Sequence, residues 1–600
     1  MMDAVNLTDR EQAGAGQWSR LHLLLFVVVL LTYVLIAWQS MHAPIFVLDD
    51  AAEFAFVRFW TSWAALWQHD CFLFFRPVKN LCFLMFNVLR PSGIEPCRLL
   101  VIGIGLLSAV AVHALFRRLL RQPVACLAAT ACWLLAPTMV SCTAWLSCVN
   151  IQIMAGLAAV SLRLFLDARD RAGASGACRL AGVWLTSLLA MLCYEGAVCL
   201  PALFVLLDYF RCPERLRTRR AWRTYAMLGS ALLFYLSLRS LRGAVPQQIL
   251  SPSFGEMADG QVIVAAPWFF FQHFSIWLWP FGRQAILGGY VPGQVSPLLL
   301  GCAWLGVAAL AAGCLWLRRR LAFAALGVSW CLAAFLPMSN ILAFRNGPYS
   351  DYYLALASMG LALAFGWLVG VLAQRRAYAR GALLALVVVA TWRVAAVGES
   401  LAWSQAWNDP ETIFRHTLRT FPQAFGTINE YARICYRRGA LDECQALTDR
   451  ALALAPHNRD SYELRALVAE RRGDIALARA ELERFMQYGG ANESWGWYFQ
   501  GHLLDERLGD TNGAIRCYRQ AVACRTGWSP EVLDSMCALA FFAAQRGDCR
   551  EAIALWEQVV RIDPGRKQVR QNLVRAYLEA GDKAKAHEHW ELFTKPQNTE

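Results

Sequence analysis

The chain has 600 residues, of which 57% are apolar and only 17% charged, with a mean hydropathy of +0.36. That balance excludes an ordinary soluble enzyme. The net charge of +13 would suit nucleic acid, but the basic residues cluster in short loops between apolar runs, which is the orientation signal of a membrane protein. Many of the 20 cysteines, such as Cys126, Cys132, Cys193, Cys302, Cys314 and Cys331, lie inside apolar runs and act as small hydrophobes. No cysteine or histidine spacing fits zinc. Cys142 and Cys148 flank one outer loop, as a disulfide or as two free thiols.

Residues 1–20 are polar, end in Arg20 and are expected to stay cytoplasmic. The run from Leu21 to Trp38 is long for a signal-peptide core, lacks a small-residue cleavage site and reads as a retained anchor. A first outer loop, 39–96, follows. It holds the acids Asp49 and Asp50 in FVLDDAAEF, an aromatic amphipathic stretch, and FFRPVKN at 74–80. Spans are expected at 97–116, 123–140 and 150–166, with Arg-rich turns on the inner side. From Leu180 to Phe210 the chain is apolar, yet both flanks are basic. Both ends then belong inside, so two short helices must turn near Tyr194-Glu195-Gly196, with Glu195 near the outer face.

A span at 222–241 leads to an outer loop, 242–294, whose run PWFFFQHFSIWLWPF contains His273. A helix in the interface fits the charge parity, and a true span is the alternative. Spans at 296–317, 321–343, 352–373 and 381–398 complete eleven crossings and put the C-terminus outside. The membrane-embedded domain is thus 21–400, and 401–600 is an extracytoplasmic domain. There, Gly439, Gly473, Gly509, Gly547 and Gly581 recur at intervals of 34, 36, 38 and 34 residues. A small residue (Cys444, Ala478, Ala514, Ala552 or Ala586) follows five positions after each. Glycine ends one helix and the small residue admits its partner closely, as in a tetratricopeptide array of about five units. A generic helical solenoid is the alternative. The expected fold class is all-α, a multispanning helix bundle followed by an α-solenoid.

Adjacent acids do not point the same way on a helix or strand. Asp50 can cap the helix that follows, with Glu53 completing an Asp-x-x-Glu box. That leaves Asp49 as the candidate general base for an acceptor hydroxyl. Arg76, Lys79 and Arg345 are outer-face cations suited to a lipid-linked phosphate, or to headgroups and nearby acids. Glu195 is a supporting acid or a structural hydrogen-bonding group. Tyr352, Tyr353 and His273 read as interface or donor-lipid contacts. No spacing demands a metal, and a divalent ion shared by Asp49, Asp50 and Glu195 is the open alternative.

FVLDD, then FFRPVKNLCFLMFNVL, then His113 resembles the start of the transmembrane-and-tetratricopeptide O-mannosyltransferases. CYEGAVCLP is similar to their Lys-Glu segment, with Tyr194 in the Lys position. SDYYLALASMG resembles their Glu-Arg-Tyr-Leu segment, with Tyr352 in the Arg position, and WNDPETIFRHTLRTFPQA resembles their junction with the repeats. The resemblance spans almost the whole chain and rests on motif order. It implies the C-type glycosyltransferase superfamily, a polyprenyl-phosphate sugar donor and an acid of the first loop as base. Transfer would be to an acceptor hydroxyl, of protein Ser or Thr or of a lipid or glycan, outside a bacterial inner membrane or inside the endoplasmic reticulum. A membrane-anchored scaffold that recruits proteins without chemistry is the rival reading.

Overall fold

The computed structural model describes residues 20–44, 50–57, 66–67, 74–90, 93–170, 173–241, 259–286, 288, 295–341, 349–374, 379–524 and 529–594. All regular structure among them is helical, apart from one isolated antiparallel bridge between Gly288 and Tyr349. The chain divides into two compact units: residues 1–50 with 66–427, and residues 51–65 with 428–600.

The first unit is a helix bundle. Its early helices are α1 (Arg20–Trp38), α2 (Asp50–Val57, whose first residue alone belongs to this unit), α3 (Pro77–Leu89), α4 (Glu95–Leu119), α5 (Pro123–Leu134), α6 (Pro137–Ala144) and α7 (Val149–Arg169). After them come α8 (Ala174–Cys193), α9 (Leu200–Arg211), α10 (Arg219–Leu241) and α11 (Asp259–Leu278). The last five are α12 (Pro297–Leu317), α13 (Ala322–Phe335), α14 (Leu354–Gln374), α15 (Ala379–Ala406) and α16 (Pro410–Thr420). The apolar run after Leu180 breaks as its flanks require: α8 ends at Cys193, Glu195–Cys199 forms a 3-10 turn, and α9 starts at Leu200. At Pro137, which cannot continue the hydrogen-bond ladder, α5 and α6 bend by 56°. Composition shifts near residue 400, but α15 runs through that point to Ala406.

Seven described helices are long and apolar enough to cross a membrane, or eight with the bent pair counted as one. Eleven crossings therefore stays an expectation: α9 has only 12 residues, α13 has 14, and α10 carries arginines at both ends. On α1 and α12 the apolar side chains face outward, Leu298 at 77% and Trp316 at 77% exposure. Such a surface requires an apolar surround. Inside, small residues set the packing. A Cβ on Gly327 would meet the Gly360 carbonyl at 2.3 Å, and one on Gly366 would meet the Ala125 carbonyl at 2.3 Å, so α13, α14 and α5 touch backbone to backbone.

The Arg-rich turns gather at one end of this bundle. Arg118 pairs with Asp167 at 3.0 Å and with Asp170; Arg169 meets Asp208 at 2.6 Å, which also takes Tyr225 at 2.6 Å. Arg215 reaches Asp208 at 3.7 Å, and Arg318 bonds the Tyr209 hydroxyl. Opposite charges cluster there because every one of these helices starts or stops at that level.

The second unit is a solenoid of five helix pairs, from Phe425–Arg437 with Leu441–Leu454 to Lys567–Glu579 with Lys583–Thr594. All five repeat glycines have positive φ, between 67° and 83°, a backbone form that costs any L-residue energy. At four of them the next residue is aspartate. Asp474, Asp510, Asp548 and Asp582 accept from the amides of Leu477, Gly513, Glu551 and Lys585, capping the second helix. Gly-Asp thus ends one helix and starts the next. No atom crowds Gly547, so Gly547→Ala carries only the backbone penalty, and thermal unfolding of the repeat unit is expected to show a loss of about 1–2 kcal/mol. An unchanged midpoint would mean that this turn does not hold the repeat.

Candidate functional site

Asp50 is the first residue of α2, 1% exposed. It is not the cap of that helix, as the sequence suggested. Its carboxylate accepts from the amides of Leu146 at 3.2 Å and Ser147 at 2.8 Å, and from the Ser147 hydroxyl at 2.6 Å. These donors belong to the 3-10 turn Leu146–Cys148, between α6 and α7. The turn is short and buried, so its free amides need an acceptor, and Asp50 supplies one. Burial lifts the Asp50 pKa to about 6, against the pull of Ser147, Arg98 and Leu146. Arg98, itself 3% exposed, donates to the carbonyls of Ala144 at 2.9 Å and Ala43 at 2.6 Å, fixing the same turn from below. Asp49 and Arg345 lie outside the described residues.

Arg76 is the residue before α3, which opens on Pro77. Its guanidinium makes a two-pronged bond to Glu195, Nε to Oε2 at 3.0 Å and Nη2 to Oε1 at 2.5 Å. It also lies over the rings of Phe74 at 3.9 Å and Tyr194 at 4.7 Å. Burial alone would raise the Glu195 pKa; the Arg76 charge reverses that and holds it below the ordinary carboxylate value. Lys79, one turn on, is 2% exposed, with its ammonium 5.9 Å from the Phe83 ring centre.

A wall of aromatic rings connects these groups. Tyr194 meets Tyr352 at 6.3 Å, and Tyr352 meets Trp145, beside the Asp50 turn, at 5.6 Å. Tyr352 also meets Tyr353 at 4.8 Å, and His273 lies 5.7 Å from Tyr353 and 4.3 Å from Tyr349. His273 and Tyr353 are 1% and 6% exposed, so they are enclosed in protein and do not face lipid. The histidine tolerates burial because Nδ1–H donates to the Phe269 carbonyl at 2.7 Å and Nε2 accepts from the Ser350 amide at 3.3 Å. Asp351 completes the set, taking bonds from Tyr349 at 2.6 Å and Ser141 at 3.1 Å.

Asp50, Arg76, Glu195, Tyr352, Tyr353 and His273 are therefore brought together. His113 is not: it bonds Thr130 at 2.9 Å within the bundle. Sequence reasoning missed Arg98, Ser141 and Ser147; the polar loop SCTAWLSCVN was the one signal for the two serines, and Arg98 had none. Cys142 and Cys148 in that loop are buried and are not joined to each other. Among the described residues no group of three or more His, Cys, Asp or Glu is arranged to hold a metal ion. Asp50 and Glu195 go to separate partners. The site lies at the other end of α7 and α8 from the Arg-rich turns. The 21 residues of α7 span about 30 Å at 1.5 Å per residue.

In the solenoid, polar side chains bridge successive units. Asn429 donates to Asn458 at 2.6 Å and accepts from Ser461 at 2.8 Å, while Arg433 grips Glu463 at 2.8 and 3.2 Å. Residues 543–589 match the tetratricopeptide repeat family. The C-terminal solenoid is a tetratricopeptide array. Solved structures similar to part of the chain include MamA protein, 18% identical over 29% of this chain and 91% of that one, TM-score 0.24. YrrB, described as a TPR protein with an unusual peptide-binding site, is 18% identical over 31% and 93%, TM-score 0.25. PilF of Pseudomonas aeruginosa is 16% identical over 30% and 78%, TM-score 0.27. No curated protein matches the chain. The array departs from strict periodicity at its third unit, where Leu503–Arg507 forms a π-turn and Asp510 N–H reaches back to Leu504 at 2.8 Å.

Proposed function

We propose that this chain is an integral membrane glycosyltransferase. It moves a sugar from a polyprenyl-phosphate donor to an acceptor hydroxyl, that of protein Ser or Thr, on the extracytoplasmic face of a bacterial inner membrane. The tetratricopeptide array recruits the acceptor or a partner protein. Asp49 takes the proton from the acceptor hydroxyl. The hydroxyl oxygen bonds to the anomeric carbon while the bond from that carbon to the phosphate oxygen breaks. Polyprenyl phosphate leaves with its electron pair, and a single displacement inverts the carbon. Arg76, Lys79 and Arg345 offset the phosphate charge.

One observation carries this reading: acids and cations from distant parts of the chain, Arg76 joined to Glu195 and Asp50 joined to the turn at Ser147, lie at the end of the bundle opposite the Arg-rich turns. With basic turns inside, that end faces out. The resemblance in motif order points the same way. Arg76 gives Nε and Nη2 to Glu195, so a phosphate would meet it in competition with, or alongside, that carboxylate.

A scaffold without chemistry is the second reading, and one fact favours it: Asp50 and Arg76 are both engaged in bonds that hold the fold. The experiment that separates them is sugar transfer in reconstituted membranes, from labelled polyprenyl-phosphate sugars to cell-envelope proteins and lipids. Asp49→Asn is expected to lower transfer about 10²–10⁴-fold at unchanged expression. Absence of transfer by the wild type from every donor would leave the scaffold.

A further inference from the structure

The arginines at the basic end of the bundle fall into two groups. Arg118, Arg169 and Arg215 are paired with Asp167, Asp170 and Asp208. Arg217, Arg219, Arg220 and Arg223 are exposed, and among the described residues none of the four is paired with a carboxylate. Orientation in a membrane needs only positive charge on that side. The paired arginines also supply it, because acids count little in that rule. Orientation therefore does not account for four unpaired guanidinium groups within residues 217–223.

Local structure brings the four together. Arg217 ends the 3-10 turn Pro213–Arg217, and the Trp222 indole N–H donates to the Leu216 carbonyl at 2.8 Å, folding that turn against the start of α10. Thr218 caps the helix, its hydroxyl accepting from the Ala221 amide at 3.2 Å. Arg219 and Arg223 are one turn apart, as are Arg220 and Arg223, so the three share one side of α10. No acid sits in the first turn, and Glu214 is the one acid between residues 211 and 223. Like charges this close repel one another unless an anion lies among them.

Further along, that side of the helix changes character. After Arg220 and Arg223 it carries Met227, Phe234 and Leu241, which are 37%, 47% and 83% exposed. Their spacing of three, four, seven and seven residues keeps all five in one stripe. Within it, Ser230 and Ser237 donate to the carbonyls of Met227 at 2.6 Å and Leu233 at 2.9 Å, so their protons are satisfied inside the helix. From Arg223 to Phe234 the helix rises about 16 Å, close to the hydrocarbon depth of one leaflet. Cations above an apolar stripe of that length match a phospholipid with a negative headgroup.

We propose that the start of α10 is a docking site for anionic phospholipid. Arg217, Arg219, Arg220 and Arg223 hold the headgroup phosphate, and the stripe through Met227 and Phe234 takes an acyl chain. Guanidinium forks match phosphate oxygens two at a time. Basic clusters beside a transmembrane helix are a general mode of anionic-lipid recognition. The site rests on the membrane placement of the bundle, which is part of the reading above, and is independent of sugar transfer.

The test uses the full-length protein in membranes of equimolar phosphatidylglycerol and phosphatidylcholine. A photoreactive benzoyl-phenylalanine replaces Met227 or, for comparison, Leu24, which is 59% exposed and stands four residues after a single arginine, Arg20. Cross-linked lipid is identified by mass spectrometry. Position 227 is expected to take phosphatidylglycerol over phosphatidylcholine on the order of tenfold, and position 24 close to the mixing ratio. Arg223→Gln leaves the loop basic and the orientation intact, and is expected to lower the preference at 227 about threefold. Arg217→Gln, Arg219→Gln, Arg220→Gln and Arg223→Gln combined are expected to abolish it. Equal ratios at 227 and 24, or a preference at 227 that survives the four substitutions, would overturn the proposal. Loss of the preference on adding millimolar inorganic phosphate at constant ionic strength would assign the arginines to a soluble anion instead. Lipid cross-links at neither position would remove the membrane placement and the site together, whereas an absence of sugar transfer touches neither.

Discussion

Arg76→Ala is expected to destabilise the bundle by about 3–5 kcal/mol, more than Glu195→Ala does. The pair is buried, with side-chain exposures of 11% and 3%, and joined by two bonds. Removing the cation strands a carboxylate in a dry site, where Arg239 is the remaining nearby positive charge. Removal of the acid is milder, because Arg76 still lies over the rings of Phe74 and Tyr194, whose faces attract a cation. Replacing both by methionine is expected to recover much of the loss, since a well-packed apolar pair often equals a buried ion pair. Unfolding in detergent or nanodiscs, run as a double-mutant cycle, reads all four states. Equal small losses for the two single variants would mean that solvent screens the pair.

Asp50→Asn is expected to change how stability depends on pH. The folded pKa of Asp50 is raised to about 6, from about 3.9 in an unfolded chain. A raised carboxyl pKa means that the fold holds the proton more tightly, so stability falls as pH rises from about 4 to about 6 and is flat above that. Two pKa units correspond to on the order of 3 kcal/mol. Asparagine does not titrate, so the wild type gains on the variant when pH is lowered from 7.5 to 5. At neutral pH the variant also suffers, because an amide NH2 faces backbone donors at Leu146 or Ser147 and leaves one without an acceptor, costing about 1–3 kcal/mol. Ser147 makes the protonated state tolerable, since its hydroxyl can turn and accept from the acid. Parallel pH curves for the two proteins would show that Asp50 stays charged throughout.

The two results bear on function. A base must be able to lose and regain a proton, and Asp50 is poised for that by burial, though its three bonds tie it to a structural turn. Arg76 can meet a phosphate only in competition with, or alongside, Glu195. Both features make the ends of α3, α7 and α8 interdependent, so substitutions that empty the site are also expected to loosen the bundle.

Much of this was legible in the residues. Basic flanks around 180–210 required a break, and it falls at Tyr194–Gly196 because a helix pair must return both ends to the charged side. The five glycines announced the repeats, since a positive φ at the end of a helix has few other tenants. The bend at Pro137 was missed, since the stretch 123–140 reads as one unbroken span. What the residues left open was pairing. Asp50 looked like a helix cap because Glu53 stands three positions on, yet its partners lie 96 and 97 residues away. Arg76 looked like a free cation, and its acid is 119 residues distant. His273 and Tyr353 looked like interface residues, because amphipathic rings at a predicted boundary usually are, and only the Phe269 carbonyl and the Ser350 amide reveal how the burial of His273 is satisfied.

The sequence by itself determined the local matters: where helices begin and end, which segments are apolar enough to need an apolar surround, and the period of the repeats. These follow from hydropathy, capping and backbone sterics, which act over a few residues. The tertiary structure alone decided which cation each acid meets and that α15 continues past residue 400. Those outcomes depend on distances between helices far apart in the chain, and such distances are set by the packing of small residues such as Gly327, Gly360 and Gly366, not by any local pattern.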